Sequence, residues 1–150
     1  MSRINRRGFL KGTLGTAAAI SLPSIAVDGA ILGANERLRM AVCGLNGRGG
    51  SHIGGFGGDK RVELAWLVDP DENVLKRRLR GRKNCQGSAN FRKALADKNV
   101  DAISVAAPNH WHSLSSIWAL QAGKHVYVEK PISHNVFEGR QVVELSLIHI

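Results

Sequence analysis

The sequence predicts an α/β chain doubly wound around a parallel sheet. Three observations carry this. Short apolar runs alternate with stretches of helical spacing along most of the chain. A glycine-rich turn follows the first run without a gap, and an acid, Asp69, closes the second run 20 residues beyond Gly49. Strands covered by helices on both faces read as continuous apolar runs, and their alternation with helical patterns argues for a parallel sheet.

Taken in order, Leu38-Arg39-Met40-Ala41-Val42-Cys43 reads as the first strand, followed by Gly44-Leu45-Asn46-Gly47-Arg48-Gly49-Gly50. A dinucleotide site needs glycines here for a tight turn, for close approach of the backbone to pyrophosphate, and for close helix–strand packing. The helix that follows then offers free N–H groups and its positive dipole end to phosphates. Gly44 and Gly49 hold the first and third places of that fingerprint, and Asn46 stands at the second. Asn tolerates a left-handed backbone but brings a side chain towards the phosphates.

The second strand, Val62 to Val68, ends at Asp69. An acid at that distance accepts hydrogen bonds from adenosine ribose hydroxyls and repels a 2′-phosphate, which favours NAD over NADP. The same position also suits a cap for a helix starting at Pro70 or Asp71.

Glu72 to Arg82 is helical by pattern, a weak third strand is expected within Gly87 to Asn90, and Phe91 to Lys98 reads as a short helix. Ala102 to Ala106 is a buried strand and Trp111 to Ala122 a helix, with Trp111 and Trp118 packing on one side. Gly123 fits the place just past that helix, where a positive φ suits glycine. His125 to Val128 reads as a buried strand that delivers Glu129 and Lys130, before Pro131, to its carboxyl end. Ligand crevices of open α/β sheets lie beyond those ends. An amine placed there can be desolvated and exchange protons with a substrate. Ser133 is expected to cap a last helix whose apolar spacing runs from Val136 to Glu144.

The net charge of +9 suggests nucleic acid until it is located: four positive charges lie at Arg3, Arg6, Arg7 and Lys11, ahead of the first acid, Asp28. A second cluster, Lys76, Arg77, Arg78, Arg80, Arg82 and Lys83, reads as a solvated helix face or as a contact for cofactor phosphate or another anion. No aromatic residues interleave with it, which argues against single-strand binding. Cys43 reads as a buried small residue and Cys85 as a loop residue, with no disulfide framework. His110 and His112 are two imidazoles without a third nearby ligand, so polar contacts at the helix head suit His112 better than a metal.

The N-terminus carries Asn5-Arg6-Arg7-Gly8-Phe9-Leu10-Lys11, a modest apolar segment, and small residues around Ser24-Ile25-Ala26. This is the layout of an export signal and resembles the twin-arginine type, with cleavage after Ala26 or Ala34. The segment is too weakly apolar for a permanent membrane span.

At Ala107-Pro108-Asn109-His110-Trp111-His112, and then from Ala122 through Gly123-Lys124-His125-Val126-Tyr127-Val128-Glu129-Lys130-Pro131, the chain resembles the glucose–fructose oxidoreductase/inositol dehydrogenase/MocA (Gfo/Idh/MocA) family in its exported twin-arginine branch. The resemblance runs from about Gly33 to Glu144. It implies a Rossmann-type nicotinamide-binding domain followed by a larger α/β substrate domain with an open sheet. By the resemblance Gly44, Asn46, Gly47, Arg48 and Gly49 form the pyrophosphate turn, and Asp69 meets the adenosine ribose. Pro108, Asn109 and His112 line the nicotinamide side. Lys130 touches the reacting hydroxyl, as proton acceptor or as a charged orienting group, with Glu129 beside it and Pro131 fixing the turn.

The implied activity is hydride transfer between a sugar, cyclitol or polyol carbinol and NAD, outside the cytoplasm. Two alternatives are glycoside cleavage through transient oxidation by bound NAD, and a non-catalytic cofactor- or sugar-binding role. The expected organisation is a signal and linker over residues 1–34, an incomplete cofactor domain over 35–144, and a non-native tail over 145–150. One choice of codons for that tail resembles a transposase adapter used in sequencing libraries. The substrate domain is expected to lie outside this chain, so that the chain alone is inactive. Expected partners are a small sugar or polyol, the twin-arginine export machinery and, at full length, further copies in a homo-oligomer; nucleic acid is not expected.

Overall fold

The computed structural model describes residues 37–148, so the proposed signal segment and the last two tail residues lie outside the described residues. Five strands, β1 (Leu38–Cys43), β2 (Val62–Val68), β3 (Gln86–Ser88), β4 (Ala102–Val105) and β5 (His125–Val128), form one sheet in the order β3-β2-β1-β4-β5. All four pairings are parallel. Five helices follow the strands: α1 (Arg48–Gly58), α2 (Glu72–Leu79), α3 (Phe91–Ala96), α4 (His112–Gln121) and α5 (Val136–Ile148). The strand order reverses between β1 and β4, as in a Rossmann-type sheet, and that switch point is where such sheets take ligands.

Alternation along the strands builds the two cores. Val42, Leu64 and Leu67 pack with Leu45, Ile53, Val74 and Leu75 on the α1–α2 face. Ala41, Cys43, Trp66, Val68, Ile103 and Val105 pack with Ala94 and Ala119 on the α3–α4 face. Each fully buried Leu, Ile or Val contributes about 1.5–3 kcal/mol, so these clusters fix which strand face each helix covers. Burial pushes the Cys43 thiol far above its ordinary value. Cys85 is raised to about 11, chiefly by burial.

The element boundaries differ from the sequence reading where backbone chemistry intervenes. The second helix stops at Leu79, because Arg80 turns extended and Gly81 takes φ 80°. The third stops at Ala96, where Asp97 is extended and its side chain accepts from Trp66 Nε1 at 2.8 Å. Gly123 sits at φ 71° as expected, and bonds from Gly123 N to Leu120 O and Lys124 N to Ala119 O close α4 in a Schellman motif. The last helix is capped by Asn135 rather than Ser133: Asn135 Oδ1 accepts from Glu138 N at 2.9 Å. That helix continues through Leu145 to Ile148.

The β5 strand is not the buried strand that its composition suggests. Its residues alternate between exposed and half-buried, with Tyr127 52% exposed. It pairs only with β4 among the described residues, and it covers one face with Val126 and Val128.

Candidate active site

The site is assembled at the carboxyl ends of β1, β4 and β5. Gly44 leaves β1 with φ 80° and donates to Val68 O at 2.9 Å. A Cβ here would lie 2.6 Å from Ala107 N and 2.7 Å from Ala106 O, so only glycine lets the turn press against the end of β4. Gly49, buried in the first turn of α1, faces Gly44 so closely that a Cβ would overlap the Gly44 carbonyl oxygen and lie 2.7 Å from its carbon. Gly47, at φ 48°, begins α1, and no side chain caps that helix. Asn46, Gly47 and Arg48 are exposed along the rim.

Two side chains clamp this turn through Leu45. Asp69, 7% exposed, accepts from Leu45 N at 2.7 Å through Oδ2 and from Asp71 N at 2.9 Å through Oδ1. The cap of α2 is Asp71, whose Oδ1 accepts from Asn73 N and Val74 N. Asp69 therefore ties the end of β2 to the glycine turn, and each of its carboxylate oxygens keeps a lone pair for a further donor. From α2, Arg78 Nε donates to Leu45 O at 3.0 Å, and its guanidinium lies over Gly50. One member of the basic cluster is thus drawn to the turn, which the sequence left between solvent and an anion.

The β5 end meets the same turn. Arg48 Nε donates to Glu129 Oε1 at 2.6 Å across 81 residues of sequence. The same oxygen lies 2.8 Å from His52 Nε2, and His52 Nδ1 lies 2.7 Å from Ser104 Oγ. His52, from α1, is 6% exposed and Ser104 is fully buried. The hydrogen bonds from Arg48 and then His52 hold the Glu129 carboxyl down at about 2, and Glu129 in turn raises Arg48. The sequence reading missed His52. Its only local signal is its place four residues after Arg48, on the same helix face.

Lys130 stands exposed at the end of β5, with no hydrogen bond or ion pair among the described residues, and its peptide bond to Pro131 is cis. Pro108 and Asn109 are exposed at the entry to a short 3-10 turn, Asn109–Trp111. His112 is 2% exposed and commits both ring nitrogens to the backbone, Nδ1 to Pro131 O and Nε2 to Ala107 O, each at 2.7 Å. It links the loops that leave β4 and β5. Trp111 and Trp118 pack with ring centroids 6.4 Å apart.

The glycine turn, the Pro108–Asn109 loop and the Glu129–Lys130 pair therefore share one rim. A glycine cradle that a Cβ would fill, an uncapped helix start and an acid at the end of β2 suit a dinucleotide.

Comparison with known proteins agrees with this geometry. Residues 38–146 match the Gfo/Idh/MocA family model, described as an oxidoreductase family with an NAD-binding Rossmann fold, and residues 3–23 match a twin-arginine translocation signal. A glycosyl hydrolase family 109 protein of Shewanella baltica strain OS155 is 26% identical, and an alpha-N-acetylgalactosaminidase of Shewanella oneidensis is 25% identical; each match covers 97% of this chain. The chain spans about 38% of the length of these relatives. Among solved structures, GenD2 from gentamicin A biosynthesis in complex with NAD superposes with a TM-score of 0.71 at 33% identity, over 76% of this chain and 32% of that one. The myo-inositol 2-dehydrogenase of Lactobacillus plantarum gives 0.71 at 26%, over 76% and 34%. The chain belongs to the Gfo/Idh/MocA oxidoreductase family and carries its NAD-binding Rossmann fold.

Proposed function

We propose that this chain is the cofactor-binding part of an exported, NAD-dependent oxidoreductase acting on the carbinol of a sugar, cyclitol or polyol. The observation that carries the reading is the Arg48–Glu129 contact of 2.6 Å, which joins the phosphate-type turn to the residue beside Lys130. A single extended dinucleotide lying along the rim would meet both.

Gly44, Asn46, Gly47, Arg48 and Gly49 hold the pyrophosphate, with backbone N–H groups and the α1 dipole supplying most of the attraction. Asp69 takes the adenosine ribose hydroxyls on its remaining lone pairs, which favours NAD over NADP. Pro108 and Asn109 bound the nicotinamide side, and His112 fixes their loop against that of Lys130. Bound nicotinamide supplies hydride transfer at carbon. Lys130 accepts the hydroxyl proton at Nζ, or donates it in reverse, and the neighbouring Glu129 carboxylate stays ionised throughout. The exposure of Lys130 in this chain fits a site whose other wall, the substrate domain, comes from residues beyond it.

The Shewanella relatives favour a second reading, in which oxidation is transient and a glycosidic bond is cleaved with no net redox change. Full-length protein carrying this chain separates the two. A dehydrogenase accumulates reduced cofactor on free sugars or inositol, whereas a glycosidase releases the aglycone from an aryl α-N-acetylgalactosaminide while cofactor absorbance stays level.

The twin-arginine match supports residues 1–34 as signal and linker, and a periplasmic or extracytoplasmic destination. Such export carries folded protein, so cofactor is loaded before transport and recycled in the site. Full-length protein purified from the periplasm should then carry dinucleotide; empty protein there would contradict this loading.

A further inference from the structure

His52 is a buried imidazole whose two nitrogens face different partners. Glu129 is ionised and can only accept, so His52 Nε2 must donate to it. A ring carrying its proton on Nε2 leaves Nδ1 as an acceptor, and the Ser104 hydroxyl, 2.7 Å away and fully buried, can donate into it. That arrangement gives both His52 ring nitrogens a partner and links Ser104, His52, Glu129 and Arg48 in one chain of hydrogen bonds. It also runs from the middle of the sheet to the rim, crossing β4, α1 and the end of β5. Phe56 and Tyr127 pack edge-on to the ring, with centroids 5.9 and 5.4 Å away, so the imidazole has little freedom to turn.

We propose that His52 is a positioning residue: donating from Nε2, with Ser104 filling its Nδ1, it holds the Glu129 carboxylate where it takes Arg48, at the end of β5 beside Lys130. Without that donor, Glu129 is anchored only by Arg48, an exposed and flexible side chain, 65% accessible. The pair can then swing out together, loosening the turn and the lysine at once. The functional consequence rests on the NAD reading of the rim; the geometric part does not.

Gln and Asn divide the two roles of the ring, because a Gln amide nitrogen reaches about as far as Nε2 and an Asn amide nitrogen about as far as Nδ1. The test uses the full 150-residue chain, as wild type, His52→Gln, His52→Asn and Ser104→Ala. Without cofactor, nitrogen NMR of the wild-type ring should show the proton on Nε2, and Arg48 Nε–H should exchange slowly with water. His52→Gln should keep Arg48 exchange within about 3-fold of wild type and His52→Asn should speed it about 10-fold, with the two melting together. Ser104→Ala should leave the proton on Nε2, because the Glu129 carboxylate still needs a donor there. With NAD, the dissociation constant should follow the same order, near wild type for Gln and about 10-fold weaker for Asn.

A wild-type proton on Nδ1, or equal Arg48 exchange in the Gln and Asn variants, overturns the positioning role whether or not NAD binds. Arg48 exchange that separates as stated, with no NAD uptake by any variant, supports the positioning and refutes the cofactor reading instead. The wild-type tautomer keeps the test decisive even if a variant fails to fold.

Discussion

Gly49→Ala should open the glycine turn, while Gly54→Ala on the same helix should not. In the first case the new Cβ overlaps the Gly44 carbonyl oxygen and lies 2.7 Å from its carbon. The oxygen overlap is the tighter of the two contacts, so the start of α1 must retreat from β1 by more than about 1 Å. Gly44 cannot yield, since the backbone of Ala106 and Ala107 lies directly behind it. Overpacking against backbone on both sides costs about 3 kcal/mol. That corresponds to a fall in melting midpoint of about 10 °C and, if NAD must pull the turn closed again, to about 100-fold weaker binding. Gly54 has nothing within 4 Å of its added Cβ, so Ala there should stabilise the helix by about 0.5–1 kcal/mol and leave NAD binding unchanged. Thermal melts and calorimetric NAD titrations of the two variants give both readings. Equal melting and equal affinity for the two would refute the claim that backbone proximity at Gly49 shapes the site.

Glu129→Gln should lose its stability difference from wild type in acid. The folded carboxyl is held at about 2, below the ordinary value near 4.3, so its contribution is complete above about pH 5 and disappears as pH falls towards 2. Asp59, also held at about 2 by Arg61, titrates alike in both proteins and cancels; a midpoint difference that stays constant from pH 6 to 2 would contradict the Arg48 pairing. Arg78→Ala removes a charged donor from the Leu45 carbonyl and should cost about 2 kcal/mol in urea unfolding. Asp69→Asn keeps the shape but loses the charge and, on the proposed ribose role, should raise the affinity for NADP relative to NAD about 10-fold in competitive titration.

Much of the rim was legible because its requirements are local. Gly44 and Gly49 are glycine for reasons of backbone angle or contact, and a strand ending in Asp69 at a fixed distance needs no partner to be noticed. His52 and Arg78 were not legible in the same way. Their roles depend on Glu129, 77 residues from His52, and on Leu45, 33 residues from Arg78. A basic run on a helix looks alike whether one member folds back or none does. The exposure of β5 escaped for a related reason: Val, Tyr and Val at strand spacing report affinity for a sheet, but not how many neighbours cover it. Asn135 replaced Ser133 as the final cap because either residue type serves, and the chain path between them decides.

The central claim is that one dinucleotide spans the rim from the turn after β1 to the end of β5. Amide chemical shifts of the 150-residue chain titrated with NAD test it most directly. The account predicts that the amides of Leu45 to Gly50 and those of Glu129 and Lys130 shift together, with a single dissociation constant. Shifts confined to one of those two groups, or none in either, would contradict it.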